Sequence, residues 1–276
     1  VPDLTRFAAP GEAPPFSDQT LVDVRAGRAV VLSEPDGAAE PDGVAVARDG
    51  ELELVVALEA RGRGVGTRLV EQALALGGGA APRLAWAHGD HPAARAIATR
   101  LGWAATRTLL QLRAPVPTVG ADQGLPSGYA LAAFRAGSAS APSTDESDWL
   151  ALNATAFAHH PEQGSMTLDD LRAREAEGWF DGDDLLLLRD AAGDLAGSCW
   201  LKVEGGIGEF YAVAVRPDLQ GRGLGGVLMR AGTARLLGRD LQAQALYVEG
   251  DNEPALALYR RSGFTQHAID VQYAAP

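Results

Sequence analysis

The hydrophobic pattern of the chain breaks into short strand-like and helix-like runs. In the first half it predicts a helix over 17–27 with Ser17 or Asp18 as N-cap, then strands near 28–33, 43–48 and 51–58. A glycine-rich turn, a helix near 64–76, a strand at 83–88, a helix at 92–101 and a closing strand at 105–113 follow. The second half reads as a strand at 129–135, helices near 145–158 and 167–178, and strands near 184–189, 195–203 and 207–215. It continues with a second glycine-rich turn and a helix to about 238, a strand at 245–249, a helix at 253–261 and a final strand pair through 264–273. By comparison the first half lacks an opening strand and helix. The stretch from Ala114 to Ser127 holds three prolines and scattered glycines with nothing periodic to bury. The expected organisation is therefore a first domain at 1–116, a linker at 117–127 and a second domain at 128–276. Ser138 to Ser147 reads as a polar loop without chemistry.

The two glycine-rich turns carry the first functional signal. The run Glu209 to Val215 is β-branched and aromatic, and it leads through Pro217 into Gln220-x-x-Gly223-x-Gly225 at the head of a helix. A helix that begins in glycine offers unpaired backbone N–H groups and a dipole end of about +0.5 charge, which together bind a phosphate. Glycines also serve plain tight turns, but the same pattern returns as Arg61-x-x-Gly64-x-Gly66 after another strand. Two copies in matching contexts argue against coincidence.

The chain's 276 residues suffice for one large core or two ordinary ones, and the repeat favours two. A formal charge of −12 and a pI near 4.8 argue against a nucleic-acid or anionic-membrane partner, so an anionic cofactor must be met locally. The single cysteine, Cys199, cannot close an internal disulfide, which points to a reducing compartment; with no histidine near it in sequence it reads as a small buried residue rather than a nucleophile. No apolar run of membrane-spanning length and no signal-peptide pattern occurs, so a cytoplasmic location is expected. Among 24 basic residues only Lys202 is lysine, a bias that points to a GC-rich genome. The chain opens at Val1 without methionine, as a fragment or an alternative start codon would. The adjacent His159 and His160 have no third ligand at a recognisable spacing, and no metal is expected.

Strand, then Arg/Gln-x-x-Gly-x-Gly/Ala, then helix resembles the acetyl-CoA pyrophosphate loop of the GNAT acyltransferase family. The resemblance implies an α/β (α+β) fold class: two tandem GNAT folds, each a mixed, mostly antiparallel sheet flanked by helices. It implies acetyl-CoA as co-substrate, held by Val213, Ala214 and Val215 of the strand and by Gln220, Gly221, Arg222, Gly223, Leu224, Gly225 and Gly226 of the loop. Asn252, Glu253, Pro254, Ala255, Leu256 and Ala257 would add the start of the next helix. In the first half the corresponding positions are Leu54, Val55 and Val56, then Gly62, Arg63, Gly64, Val65, Gly66 and Thr67.

Acetyl transfer to an amine needs a neutral amine, a polarised thioester and a proton for the departing thiolate. Glu209, at the head of the strand that leads to the loop, is the candidate general base; its alternative is a solvated strand-end carboxylate. Tyr259, in Asn252-x-x-Ala255-x-x-x-Tyr259-x-x-x-Gly263-Phe264, resembles the helix tyrosine that faces the cofactor sulfur in the family. It is the candidate general acid, or else a core aromatic of an amphipathic helix. Counting 11 residues back from Gln220 reaches Glu209, and from Arg61 it reaches Gly50; counting back five from Gly263-Phe264 and Gly102-Trp103 sets Ala98 opposite Tyr259. Glu51 and Glu53 lie one and three residues away, so a slip would restore a carboxylate. The expectation is a catalytic second domain and a first domain that binds acetyl-CoA structurally or not at all.

Further motifs narrow the resemblance. His160-Pro161-Glu162-Gln163-Gly164, Trp179-Phe180-Asp181, Tyr247 through Asn252, Asp270-Val271-Gln272-Tyr273 and, earlier, Trp86-Ala87-His88-Gly89 resemble the mycothiol synthase family of actinobacteria over almost the whole chain. That resemblance implies acetylation of the cysteinyl amine of desacetylmycothiol, a cysteinyl-glucosaminyl-inositol. A monomer is expected. Glu162, Lys202, Glu209 and Tyr247 would contact the substrate, and Asp18 would reach it from the first domain. Asp18 departs from the family, where Glu is expected, and its shorter arm suggests a bridging water. The alternatives are a tandem GNAT enzyme for another amine, such as an aminoglycoside or a protein N-terminus, and a non-catalytic acetyl-CoA sensor.

Overall fold

The computed structural model describes residues 4–7, 13–118, 124–138, 143–158 and 163–276. By its contacts the chain divides into two compact units. Unit 1 comprises residues 1–111 with 249–251 and 267–276; unit 2 comprises 112–248 and 252–266. The last ten residues of the chain thus belong with its first half.

In unit 1, α1 (Asp18–Arg25) is capped by Ser17, whose Oγ accepts from the Thr20 backbone N–H at 3.2 Å. Strands β1 (Val30–Glu34), β2 (Gly43–Arg48) and β3 (Glu51–Val56) form an antiparallel meander. Helix α2 (Val65–Leu74) buries Val65, Leu69 and Ala73, spaced four apart on one face, against Ala45, Ala47 and Leu52 of the sheet. Then come β4 (Leu84–Ala87), α3 (Pro92–Leu101) and β5 (Ala104–Ala114), which is in unit 1 as far as Gln111. β4 runs parallel to β3, and on its other side it pairs antiparallel with residues 271–274 of the chain's final strand.

Unit 2 begins its sheet with β6 (Ala130–Ala133), followed by α4 (Thr144–Ala156) and α5 (Leu168–Glu175). Strands β7 (Leu185–Arg189), β8 (Leu195–Glu204) and β9 (Ile207–Val215) extend it as antiparallel neighbours. Helix α6 (Leu224–Leu236) crosses to β10 (Ala243–Glu249), parallel to β9, and α7 (Glu253–Arg261) leads to β11 (Thr265–Ala274). One face of this sheet packs on α4 and α5 through Trp149 and Trp200, whose rings meet edge to face at 5.2 Å. The other packs on α6, where Gly232 leaves room for Phe210 and Cys199.

Two expectations change. The segment 264–273 is not a strand pair but the single strand β11, since nothing between Thr265 and Ala274 breaks its extended run. The stretch from Ser138 to Ser147 is loop only in its first part. α4 starts at Thr144 with a capping box in which the Ser143 N–H donates to Glu146 at 2.9 Å and Ser143 Oγ accepts from Asp145 N at 3.1 Å.

Candidate active site

Both glycine loops have the same build. A 3-10 turn (Leu58–Ala60 or Pro217–Leu219) leads to an extended Arg61 or Gln220, then to Gly62 or Gly221 at φ 76°, then to Gly64 or Gly223 at φ 78° and 82°. Positive φ at those points is the reason for glycine. The lead residue closes each loop on its own strand: Gln220 Nε2 donates to the Val215 carbonyl at 3.3 Å, and Arg61 Nε donates to the Val56 carbonyl at 3.2 Å. Arg and Gln share the one property this contact needs, a long arm ending in N–H. Gly223 and Gly64 cap α6 and α2 without any side-chain cap, so the first amides of each helix stay open to a ligand. Nothing lies within 4 Å of where a Cβ would stand on Gly221 or Gly223. A pyrophosphate fits this cradle.

The strand ahead of the loop leads toward the reacting end. β9 pairs with β8 along its length, yet its parallel pairing with β10 runs only from Ile207↔Ala243 to Phe210↔Leu246. Beyond Phe210 the two strands part, and Val213, Ala214 and Val215 border the gap. At the parting point β9 carries a bulge: Trp200 opposes Ala212 and Leu201 opposes Phe210, so Tyr211 is the extra residue.

Register then assigns the faces. Glu209 is directly opposite both Lys202 on β8 and Ala245 on β10, and Tyr247 is two residues past Ala245. Lys202, Glu209 and Tyr247 therefore share one face of unit 2, the face of Trp200 and α4. Lys202 is buried, 7% exposed, with its Nζ 5.4 Å from the Trp179 ring centroid and 3.3 Å from the Glu204 carboxylate.

Tyr259 comes from the opposite face. Asn252 Oδ1 caps α7 by accepting from Ala255 N at 3.2 Å, which sets Glu253 to Ala257 on its first turns. Leu258 packs on Gly225 at the start of α6, and the Tyr259 ring lies 6.3 Å from that of Phe264, itself 5.8 Å from Phe210. Burial, with a smaller contribution from Cys199, pushes the Tyr259 phenol up to about 12. It keeps its proton at neutral pH and can donate it. Burial likewise pushes the Cys199 thiol up, far from the thiolate a nucleophile requires.

Unit 1 has the same frame with different groups. β3 and β4 part after Leu52↔Ala85, and Arg48 opposes Glu51 as Lys202 opposes Glu209. Glu51, not Gly50, thus stands where Glu209 stands: β3 lacks the Tyr211 bulge, so a count of equal length overshoots by one. Glu51 is engaged by Gln272 Nε2 at 2.8 Å and Arg48 at 3.4 Å. α3 and α7 end alike, with Trp103 N donating to Ala98 O at 2.9 Å and Phe264 N to Tyr259 O at 3.0 Å, so Ala98 occupies the position of the phenol. Leu54, Val55 and Val56 follow the parting point, and Gly62 to Thr67 form the loop and the start of α2.

Of the remaining candidates, Asp18 is the first residue of α1, and Glu162 lies outside the described residues. Sequence reasoning did not single out Tyr211, which touches Trp179 and Trp200 and whose hydroxyl accepts from Arg174 Nε at 3.0 Å. Among the described residues no group of three or more metal-ligating side chains occurs, and no helix is long and apolar enough to cross a membrane.

A glycine-capped helix after a strand, a parallel pair that parts at mid-length and a phenol on the following helix define an acetyl-CoA-dependent GNAT acyltransferase. The model of the acetyltransferase (GNAT) family matches residues 148–264. A tandem GNAT protein from the clavulanic acid biosynthesis pathway shares the fold over 99% of this chain and 91% of its own, with a TM-score of 0.69 at 17% identity. A GCN5-related N-acetyltransferase from Sphaerobacter thermophilus does so over 85% and 76%, with a TM-score of 0.63 at 21% identity. The mycothiol acetyltransferase of Clavibacter michiganensis is 50% identical over 94% of this chain and 85% of its own length, and that of Paenarthrobacter aurescens 43% identical over 98% and 90%. The chain belongs to the mycothiol acetyltransferase family.

Proposed function

We propose that unit 2 transfers the acetyl group of acetyl-CoA to the cysteinyl amine of desacetylmycothiol. The observation that supports this reading is the end of the β9–β10 pairing at Phe210 beside an uncapped helix N-terminus, with Glu209 on one face of the sheet and Tyr259 on a helix that packs on the other. Acetyl-CoA supplies an activated acyl carbon and a thiolate leaving group. The amides from Gly221 to Gly226 hold its pyrophosphate, and the β9 edge at Val213 to Val215 aligns its arm. Glu209 takes a proton from the amine, directly or through one water, and an α-amino group of pKa about 8 asks little of the base. Tyr259 returns a proton to the departing sulfur. Lys202 and Tyr247, on the Glu209 face, supply a cation and an amphipathic ring to a polyhydroxylated acceptor, and the family resemblance adds Glu162. In unit 1 the phenol position is Ala98, so we assign the chemistry to unit 2 alone.

The test is turnover of the purified protein with acetyl-CoA and a panel of amines. Desacetylmycothiol should have the highest kcat/KM, and Glu209→Gln should lower it by about tenfold or more. Preference for an aminoglycoside would overturn the assignment of the acceptor.

A further inference from the structure

Lys202 is the one lysine in a chain that otherwise uses arginine for every basic position. It is also buried, which an ammonium tolerates only with partners. Its ion pair to Glu204 is weak support, because the Glu204 side chain is 66% exposed and water screens it. Nζ also lies 5.4 Å from the ring centroid of Trp179. A compact ammonium suits a seat over an indole, whose ring face attracts a cation.

Trp179 sits between α5 and β7 on the Glu209 face of unit 2. Its ring meets Tyr211, the bulge residue, at 5.3 Å and Trp200 at 5.9 Å, both tilted by nearly half a right angle. Trp200 is fully buried behind it, whereas Trp179 is only half-buried. The buried ring serves the core; the half-buried ring leaves apolar surface beside a fixed cation and a candidate base. Flat apolar surface flanked by hydrogen-bonding groups suits the C–H faces of a sugar or cyclitol, whose hydroxyls point to the sides.

We propose that Trp179 sets acceptor specificity: its indole holds the Lys202 ammonium on the Glu209 face and packs against the glycosyl part of the acceptor. This rests on the reading that the acceptor is a cysteinyl-glucosaminyl-inositol. The experiment compares wild type, Trp179→Phe and Trp179→Leu on that acceptor and on cysteine amide, which carries the same amine without the sugars. Leu keeps apolar volume and removes the ring; Phe keeps a ring. For Trp179→Leu, KM for the glycosylated acceptor should rise about tenfold or more, while KM for acetyl-CoA and kcat/KM for cysteine amide stay within about twofold of wild type. Trp179→Phe should retain most of the affinity. An equal loss on both acceptors, or no loss on either, overturns the proposal and reduces Trp179 to packing. If wild type itself does not favour the glycosylated acceptor over cysteine amide, the assignment of the acceptor falls, and this proposal with it.

Discussion

Tyr259 and Cys199 are two titratable groups that burial drives the same way, with opposite consequences. A phenol held near 12 remains a donor throughout the working range, whereas a thiol pushed up remains inert. Tyr259→Phe should therefore lower kcat by about tenfold or more uniformly between pH 7 and 9, without moving the inflections of the pH profile. A shifted alkaline inflection would show that Tyr259 titrates in that range and is not the acid described. A second buried group lies in unit 1. His88 Nδ1 is 3.2 Å from Asp270, and its Nε2 is 3.6 Å from Glu53, too long for a hydrogen bond but close for an ion pair. Burial alone would lower the imidazole pKa; the contact with Asp270, then that with Glu53, outweighs it and raises the value to about 10. Burial likewise opposes Glu53, but His88 and the Ser17 N–H and hydroxyl hold its carboxyl below the usual range.

The sign of the His88 contribution follows from linkage. With an unfolded value near 6.5, the contribution is complete below about pH 6.5 and is lost as pH rises through about 10. Glu53 contributes above the ordinary carboxylate range and loses that contribution as pH falls. His88→Gln should lower the Tm of unit 1 most near pH 6.5, and the gap to wild type should narrow toward pH 10, read by thermal melts across that range. None of this was legible beforehand. Trp86-Ala87-His88-Gly89 served as a family motif, but that His88 meets Asp270, 182 positions later, depends on a strand pairing that local pattern does not encode.

At the scale of elements, the loops were the most readable part of the chain, because positive φ and an uncapped helix impose glycine at fixed offsets. The bulge was the least readable. Tyr211 looks like any strand aromatic, yet the extra residue moves the count that aligns β3 with β9, so Glu51 rather than Gly50 matches Glu209. The start of α4 was readable to within one residue, and its capping box stands in the sequence as Ser143-x-x-Glu146. The loop geometry predicts an asymmetry between the units. Gly223→Ala must hold a methyl-bearing residue at φ 82°, at a cost of about 1 kcal/mol, and should raise KM for acetyl-CoA several-fold. Gly64→Ala imposes the same strain in unit 1 and should leave kcat and KM within about twofold. Equal kinetic losses from both variants would mean that unit 1 takes part in turnover.

For the molecule as a whole, sequence reasoning recognised the repeat because each half carries its own strand, loop and helix. The membership of the final residues escaped it, because β11 reads as an ordinary closing strand wherever it goes. The structure assigns 267–276 to unit 1, where 271–274 pair with β4 and Gln272 and Asp270 meet Glu51 and His88. A chain ending at Gln266 should therefore lose protection first in unit 1. Hydrogen exchange should show faster exchange of the amides of Leu84 to Ala87, with those of β7 and β8 little changed.

The placement of those ten residues also bears on how the protein is made. A ribosome delivers the α1-to-α3 half early, but that half must wait, with the edge of β4 bare and His88 short of one counter-ion, until translation has passed Tyr273. Folding of the first-made part is thus tied to completion of the last-made part, and a nascent chain stalled between the two would expose an unpaired strand to aggregation.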